Sequence, residues 1–158
     1  MMARARWNKK MEPCVYLAGP MTGLTMDEAR KWRSIVAKVL ASRQIKTLDP
    51  TRRDAHVPAG QSISGNVGPA DAEAIMQADL DDIRRSTIML AYLNTPTVSL
   101  GTSWELGHAT TLGKDVIVAA PNGLRNHPFV IGNRKSVVFA SLAAAVRHIV
   151  AEYGRAPA

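Results

Sequence analysis

The chain is poor in the residues that cross-link, stack or ligate. It holds one cysteine, Cys14, so no internal disulfide can form, and the expected setting is a reducing cytoplasm. Aromatic residues make up 5% of the chain and are scattered, so no base-stacking ribonucleoprotein motif can be drawn from them. The four histidines, His56, His108, His127 and His148, show no ligand spacing, and no metal site is expected. Nowhere does an apolar run approach the ~20 residues that span a bilayer. No membrane partner is expected. The segment GPMTG at 19–23 is not a dinucleotide fingerprint, and no Ser-His-Asp arrangement stands out.

What is present is ordinary globular material. With 158 residues the chain can bury roughly two-thirds of its unfolded surface in one core. Residues 1–13 read as a basic, flexible leader without the apolar stretch of a secretory signal, and 14–154 as a single domain. The net charge of +7 invites a nucleic-acid reading. Its distribution argues against one: Arg4, Arg6, Lys9 and Lys10 lie in the leader, Arg30, Lys31 and Arg33 on one helix, and Arg52 and Arg53 in a loop. A nucleic-acid polymer is therefore not the expected partner.

Short apolar runs alternate with helical patterns, as in a parallel sheet covered by helices. Strands are expected at Val15–Ala18, Ile45–Leu48, Thr87–Leu93, Asp115–Ala120 and Val137–Ala140. Helices are expected at Thr25–Ser42, with Ala29, Trp32, Val36, Val39 and Leu40 inward, and at Ala70–Arg85. Two more are expected, from Ser103 to a left-handed Gly113 and from Leu142 to Tyr153. The stretch Thr51–Pro69 has no period and reads as a loop, a candidate lid. Five parallel strands in the order 2-1-3-4-5 make a flavodoxin-like three-layer α/β sandwich. Its ligand crevice lies beyond the carboxyl ends of strands one and three.

Three residues near that crevice could carry chemistry. Glu105 follows a glycine turn that opens a helix, where free N–H groups can hold an anion. It reads either as half of a capping box with Thr102 as N-cap or as a carboxylate free for chemistry. Asp79 falls on the apolar stripe Ala72, Ile75 and Ile83, where burial raises a carboxylate's pKa and makes it a proton donor near neutral pH. The alternative is a buried helix-to-loop hydrogen bond. Asp82 has Asp81 and Arg84 beside it, the signature of a wet face. Tyr16, inside the first strand, needs a partner for its hydroxyl.

Together YLAGPMTG, LDP at 48–50, Asp79–Ile83, SLGTSWELGHAT and GKDVIV resemble the nucleoside 2-deoxyribosyltransferase superfamily from about Cys14 to Phe139. That superfamily includes transferases that exchange bases on deoxyribose and N-glycosidases that act on nucleoside 5′-monophosphates. The resemblance implies Glu105 as nucleophile on the anomeric carbon, Tyr16 orienting it, and Asp79 binding or protonating the departing base. It also implies substrate contacts from Gly19, Pro20, Thr22, Asp82, Ser99, Gly101 and Thr102, and no cofactor. A homodimer or larger homo-oligomer is implied, with His127 and Phe129 of the loop NHPFV completing a neighbour's site.

Two departures bear on the subclass. Family transferases carry Asp six residues before the nucleophile, where this chain has Ser99, as the monophosphate hydrolases do. Those hydrolases, however, place Ser and Arg where this chain has Pro20 and Thr22, leaving Arg52, Arg53 or Arg125 to meet a phosphate. Transfer and hydrolysis both stay open. Gly101–Glu105 also looks like the motif of cytokinin-activating phosphoribohydrolases, without their longer glycine-rich run. A nucleotide-binding sensor without turnover is the non-catalytic alternative.

Overall fold

Strand β1 (Cys14–Ala18) alternates its side chains between two buried faces, which is why helices must cover both sides of the sheet. The computed structural model describes residues 12–65, 67–94, 99–121, 123–133 and 136–156. After β1 come helix α1 (Met26–Ala41), β2 (Lys46–Leu48), a 3-10 turn (Pro50–Asp54), α2 (Pro69–Arg85) and β3 (Ile88–Tyr92). Then follow α3 (Leu100–Thr111), β4 (Asp115–Ala119), a second 3-10 turn (Gly123–Asn126), α4 (Pro128–Ile131), β5 (Ser136–Phe139) and α5 (Leu142–Tyr153). Most of the expected leader, residues 1–11, lies outside the described residues.

All five strands pair in parallel in the order β2-β1-β3-β4-β5, the expected flavodoxin-like three-layer architecture. Val15, Leu17, Ile88, Leu90 and Ile117 face α1 and α5. On the other face Tyr16, Ala18, Met89, Ala91, Val116 and Val118 meet Ile83 of α2, Ala109 of α3 and Val130 of α4. Tyr16 thus points to the side where α2 and α3 pack. Among the described residues no helix is long and apolar enough to cross a membrane.

Several expectations change. The third helix begins at Leu100 with Ser99 as its N-cap, accepting from the Thr102 amide, so Thr102 is not the cap. That removes the capping-box reading of Glu105. Gly113 does adopt φ 71°, just past the helix end. In α2 the expected stripe holds at Ile83, but Ala72 and Ile75 are exposed because the first half of the helix stands clear of the body. Val39 of α1 is exposed as well. The helix α4 was not visible in the sequence: it is four residues long, with Pro128 at its start and His127 accepting from the Phe129 amide.

The 51–69 stretch is not structureless. After the 3-10 turn, the carbonyls of Ala59 and Gln61 accept from the Asp27 and Met26 amides that open α1, and Ile63 pairs with Gly23 and Leu24. The Thr25–Glu28 capping box closes the same end of the helix.

Arg33 is the largest revision. It was grouped with the solvated basic residues of α1, yet it is fully buried. Its guanidinium donates to the carbonyls of Leu17 (3.2 Å), Gly19 (2.8 Å) and Ala29 (2.6 Å) and lies 3.7 Å from Asp49. The arginine therefore bolts the turn after β1 to α1. Gly19 sits so close to it that an added Cβ would come within 2.8 Å of the Trp32 ring and 3.2 Å of the Tyr92 carbonyl. Replacing Arg33 by Met removes the guanidinium donor from three carbonyls and the nearby positive charge from Asp49. The expected loss is about 3 kcal/mol in urea unfolding, and a loss under about 1 kcal/mol would show that water takes over those bonds.

Candidate active site

Two carboxylates and one phenol converge on the face of the sheet that α2 and α3 cover. The Tyr16 hydroxyl donates to Glu105 Oε1 at 2.6 Å, linking the first strand to the second turn of α3. Short O–H···O⁻ contacts of this kind are the strong, charge-assisted sort. Burial pushes Glu105 up to about 7; Asp79 adds to the rise, while the Tyr16 hydrogen bond and the charges of Arg33 and Arg53 oppose it. Asp79, on α2, is also raised by burial, against the pull of Arg53 and a hydrogen-bond contribution from Tyr16. The phenol itself is driven far above its ordinary value by burial and by the neighbouring charges of Glu105 and Asp79, so it stays a donor.

Asp82 does not lie on a wet face. It is 1% exposed, and Arg52, Arg53 and Arg85 all bond its carboxylate. Burial alone would raise it, but the hydrogen bonds from Arg52 and Arg85 hold it below the ordinary value. Arg53 uses one nitrogen on Asp82 at 2.6 Å and another on Asp79. Two of the three cations expected to be free for a phosphate are therefore already paired. Arg125 stays exposed.

The remaining candidates divide by location. Gly19 and Pro20 are buried in the turn braced by Arg33, and Thr22 is exposed at its tip. Ser99 and Thr102 lie at the start of α3 on the approach to Glu105. Thr102 is 2% exposed, and its hydroxyl has no hydrogen-bond partner among the described residues. An added Cβ at Gly101 would meet nothing within 4 Å, so there is open space beside that turn. Residues 95–98 of the loop leading to it lie outside the described residues. His127 and Phe129 are exposed on α4, their rings 5.9 Å apart.

The family model described as nucleoside 2-deoxyribosyltransferase matches residues 15–138. The chain belongs to that family. Among solved structures, a 2-desoxiribosyltransferase from Leishmania mexicana superposes with a TM-score of 0.66 at 19% identity, covering 89% of this chain and 99% of its own. A 2-deoxyribosyltransferase from Bacillus psychrosaccharolyticus gives 0.66 at 20% identity, with 92% and 98% covered. The CMP N-glycosidase of Clostridium botulinum gives 0.54 at 18% identity, with 86% and 96% covered. At these identities the likeness is one of fold. Among curated protein sequences nothing matches the chain.

Sequence reasoning missed Arg33 and took Arg53 for a loop cation. A signal for Arg33 existed: it stands four residues after Ala29 and three before Val36, inside the apolar stripe of α1. For Arg53 there was none, since its partners lie 26 and 29 residues away.

Burying Glu105 has a stability consequence whose sign can be worked out. Its folded value of about 7 exceeds the ordinary 4.5, so the folded chain holds the proton more tightly. Stability present below about pH 4.5 is then lost progressively as the pH rises to about 7, and stays lost above. Glu105→Gln removes this dependence. The variant should match the wild type near pH 4.5 and exceed it by roughly 3 kcal/mol at pH 8 in urea titrations. An unchanged wild-type slope in the variant would place its origin elsewhere.

Proposed function

We propose that this family member breaks the N-glycosidic bond of a nucleoside, a (deoxy)nucleoside or its 5′-monophosphate, through a covalent glycosyl ester on Glu105. The observation that carries the reading is the 2.6 Å bond from Tyr16 to Glu105 with Asp79 beside it. In the first step a Glu105 oxygen bonds to the anomeric carbon as the carbon–nitrogen bond breaks. The electron pair leaves with the base, and Asp79 protonates the departing nitrogen. In the second step water or another base attacks the same carbon, Glu105 is released, and the incoming proton returns to Asp79. Tyr16 orients the Glu105 carboxylate as it attacks in the first step and as it leaves in the second.

The turn of Gly19, Pro20 and Thr22 and the start of α3, with Ser99, Gly101 and Thr102, would form the sugar side of the site. The unpartnered Thr102 hydroxyl and the open space at Gly101 support that assignment. The pairing of Arg52 and Arg53 with Asp82 and Asp79 favours an unphosphorylated donor. One feature favours the rival reading, a hydrolase confined to 5′-monophosphates: Ser99 caps α3 six residues before Glu105.

Exposed apolar side chains on the α2, α3 and α4 layer support a homo-oligomer. Ile75, Met76, Leu100, Trp104, Phe129 and Ile131 are all between 44% and 84% exposed. His127 and Phe129 would then reach a neighbouring subunit's site. Sedimentation should give a dimer or larger species, and Trp104→Glu should shift it toward monomer; a wild-type monomer would refute the shared site.

The activity test is incubation with deoxynucleosides and their 5′-monophosphates, with and without an acceptor base, read by chromatography. Base release and transfer from the unphosphorylated donor are expected, with Glu105→Ala folded and at least about a thousandfold slower. Full activity in that variant would sink the role of Glu105. Acceptor-independent release from monophosphates alone would select the rival. Thermal stabilisation by nucleotides without free base would instead mark a sensor.

A further inference from the structure

Two desolvated carboxylates share one phenol in this site, and the phenol has a single proton to give. Tyr16 gives it to Glu105. Asp79 takes a further bond from Arg53, and a counter-charge is needed for the pair. Four groups bear on Glu105: Tyr16 from β1, Asp79 from α2, Arg33 from α1 and Arg53 from the Pro50–Asp54 turn. Asp79 is faced by Arg53, Tyr16 and Asp82. Arg33 has its three N–H bonds on backbone carbonyls, so its role is taken. Arg53 is the cation that bonds an active-site carboxylate directly.

We propose that Arg53 is a positioning residue: clamped by the buried Asp82, it fixes the Asp79 carboxylate beside Tyr16 and Glu105 and supplies the positive charge that lets the two acids stand together. The inference rests on the reading that Glu105 and Asp79 carry the chemistry. Its geometry is specific. Asp79 and Asp82 are three residues apart on α2, hence one turn apart on one side, and the two terminal nitrogens of a single guanidinium span them. Asp82 is in turn held by Arg52 and Arg85, so the anchor cannot swing away. A lysine has one nitrogen and cannot bridge both carboxylates in this way. On this view Asp82 acts on the reaction through Arg53 rather than by touching substrate.

Arg53 also ties its 3-10 turn to α2, so lost stability alone would prove nothing. The deciding measurement is the titration midpoint of the Glu105 carboxyl carbon, followed by NMR with 13C-labelled glutamate and assigned with Glu105→Gln. In Arg53→Gln that midpoint should rise by about half a pH unit or more, because a nearby positive charge has gone. The acid limb of kcat/KM should move the same way, with kcat/KM down at least about tenfold. Arg53→Lys should restore the midpoint in part but the rate less, and Asp82→Asn, which frees Arg53 but also removes a negative charge, should lower kcat/KM at least about fivefold. A lowered melting temperature with unmoved midpoint and limb would overturn the proposal, leaving Arg53 a structural tie. Should Arg53→Gln fail to fold, wild-type kcat/KM in both Arg53→Lys and Asp82→Asn overturns it equally. If the wild type releases no base at all, the functional reading fails while the titration still reports on Arg53.

Discussion

The constraint that organises this fold is the burial of negative charge between a parallel sheet and the helices α2 and α3. Glu105 on α3 and Asp79 and Asp82 on α2 all lie in surroundings whose desolvation disfavours their ionised forms. Each is made tolerable by a specific donor: a phenol for the first, one arginine shared by the second and third, and two more arginines for the third. Arg33 fills the same office for the backbone, gathering carbonyls that end β1 and face its turn. Much of the chain's basic excess near the site is thus paired with its own carboxylates and carbonyls.

Where the hydrophobic pattern decided structure, the sequence was readable. The apolar runs Val15–Ala18 and Thr87–Leu93 read as strands and form the middle of the sheet, and alternation along β1 places Tyr16 on one face. The alternation of five strands with helices suggests the order 2-1-3-4-5, and the sheet has it. Element ends were less legible, because they depend on caps: Ser99 and Thr102 are both plausible N-caps, and the choice between them moved the start of α3 by a turn. That shift matters chemically, since it carries Glu105 from the first turn, where it would serve its own helix, to the second, where it meets Tyr16.

Polar burial was the part that pattern could not reach. Asp79 was correctly drawn inward by its distance from Ile83, whereas Asp82 was misjudged from its neighbours Asp81 and Arg84. The reason is that its partners Arg52 and Arg53 come from a different segment, and tertiary pairing leaves no periodic trace. Ile75 shows the converse error: an apolar residue in register with the core, but on a stretch of α2 that extends past the sheet it would need to cover.

The turn from Gly19 to Gly23 is braced from two directions. Arg33 and Trp32 hold it from the α1 side, while Ile63 pairs with Gly23 and Leu24, and Gly65 lies against Thr22. Its backbone has few other conformations to visit. The entropy of ordering this turn is therefore spent when the chain folds, leaving a pre-shaped wall just past the end of β1.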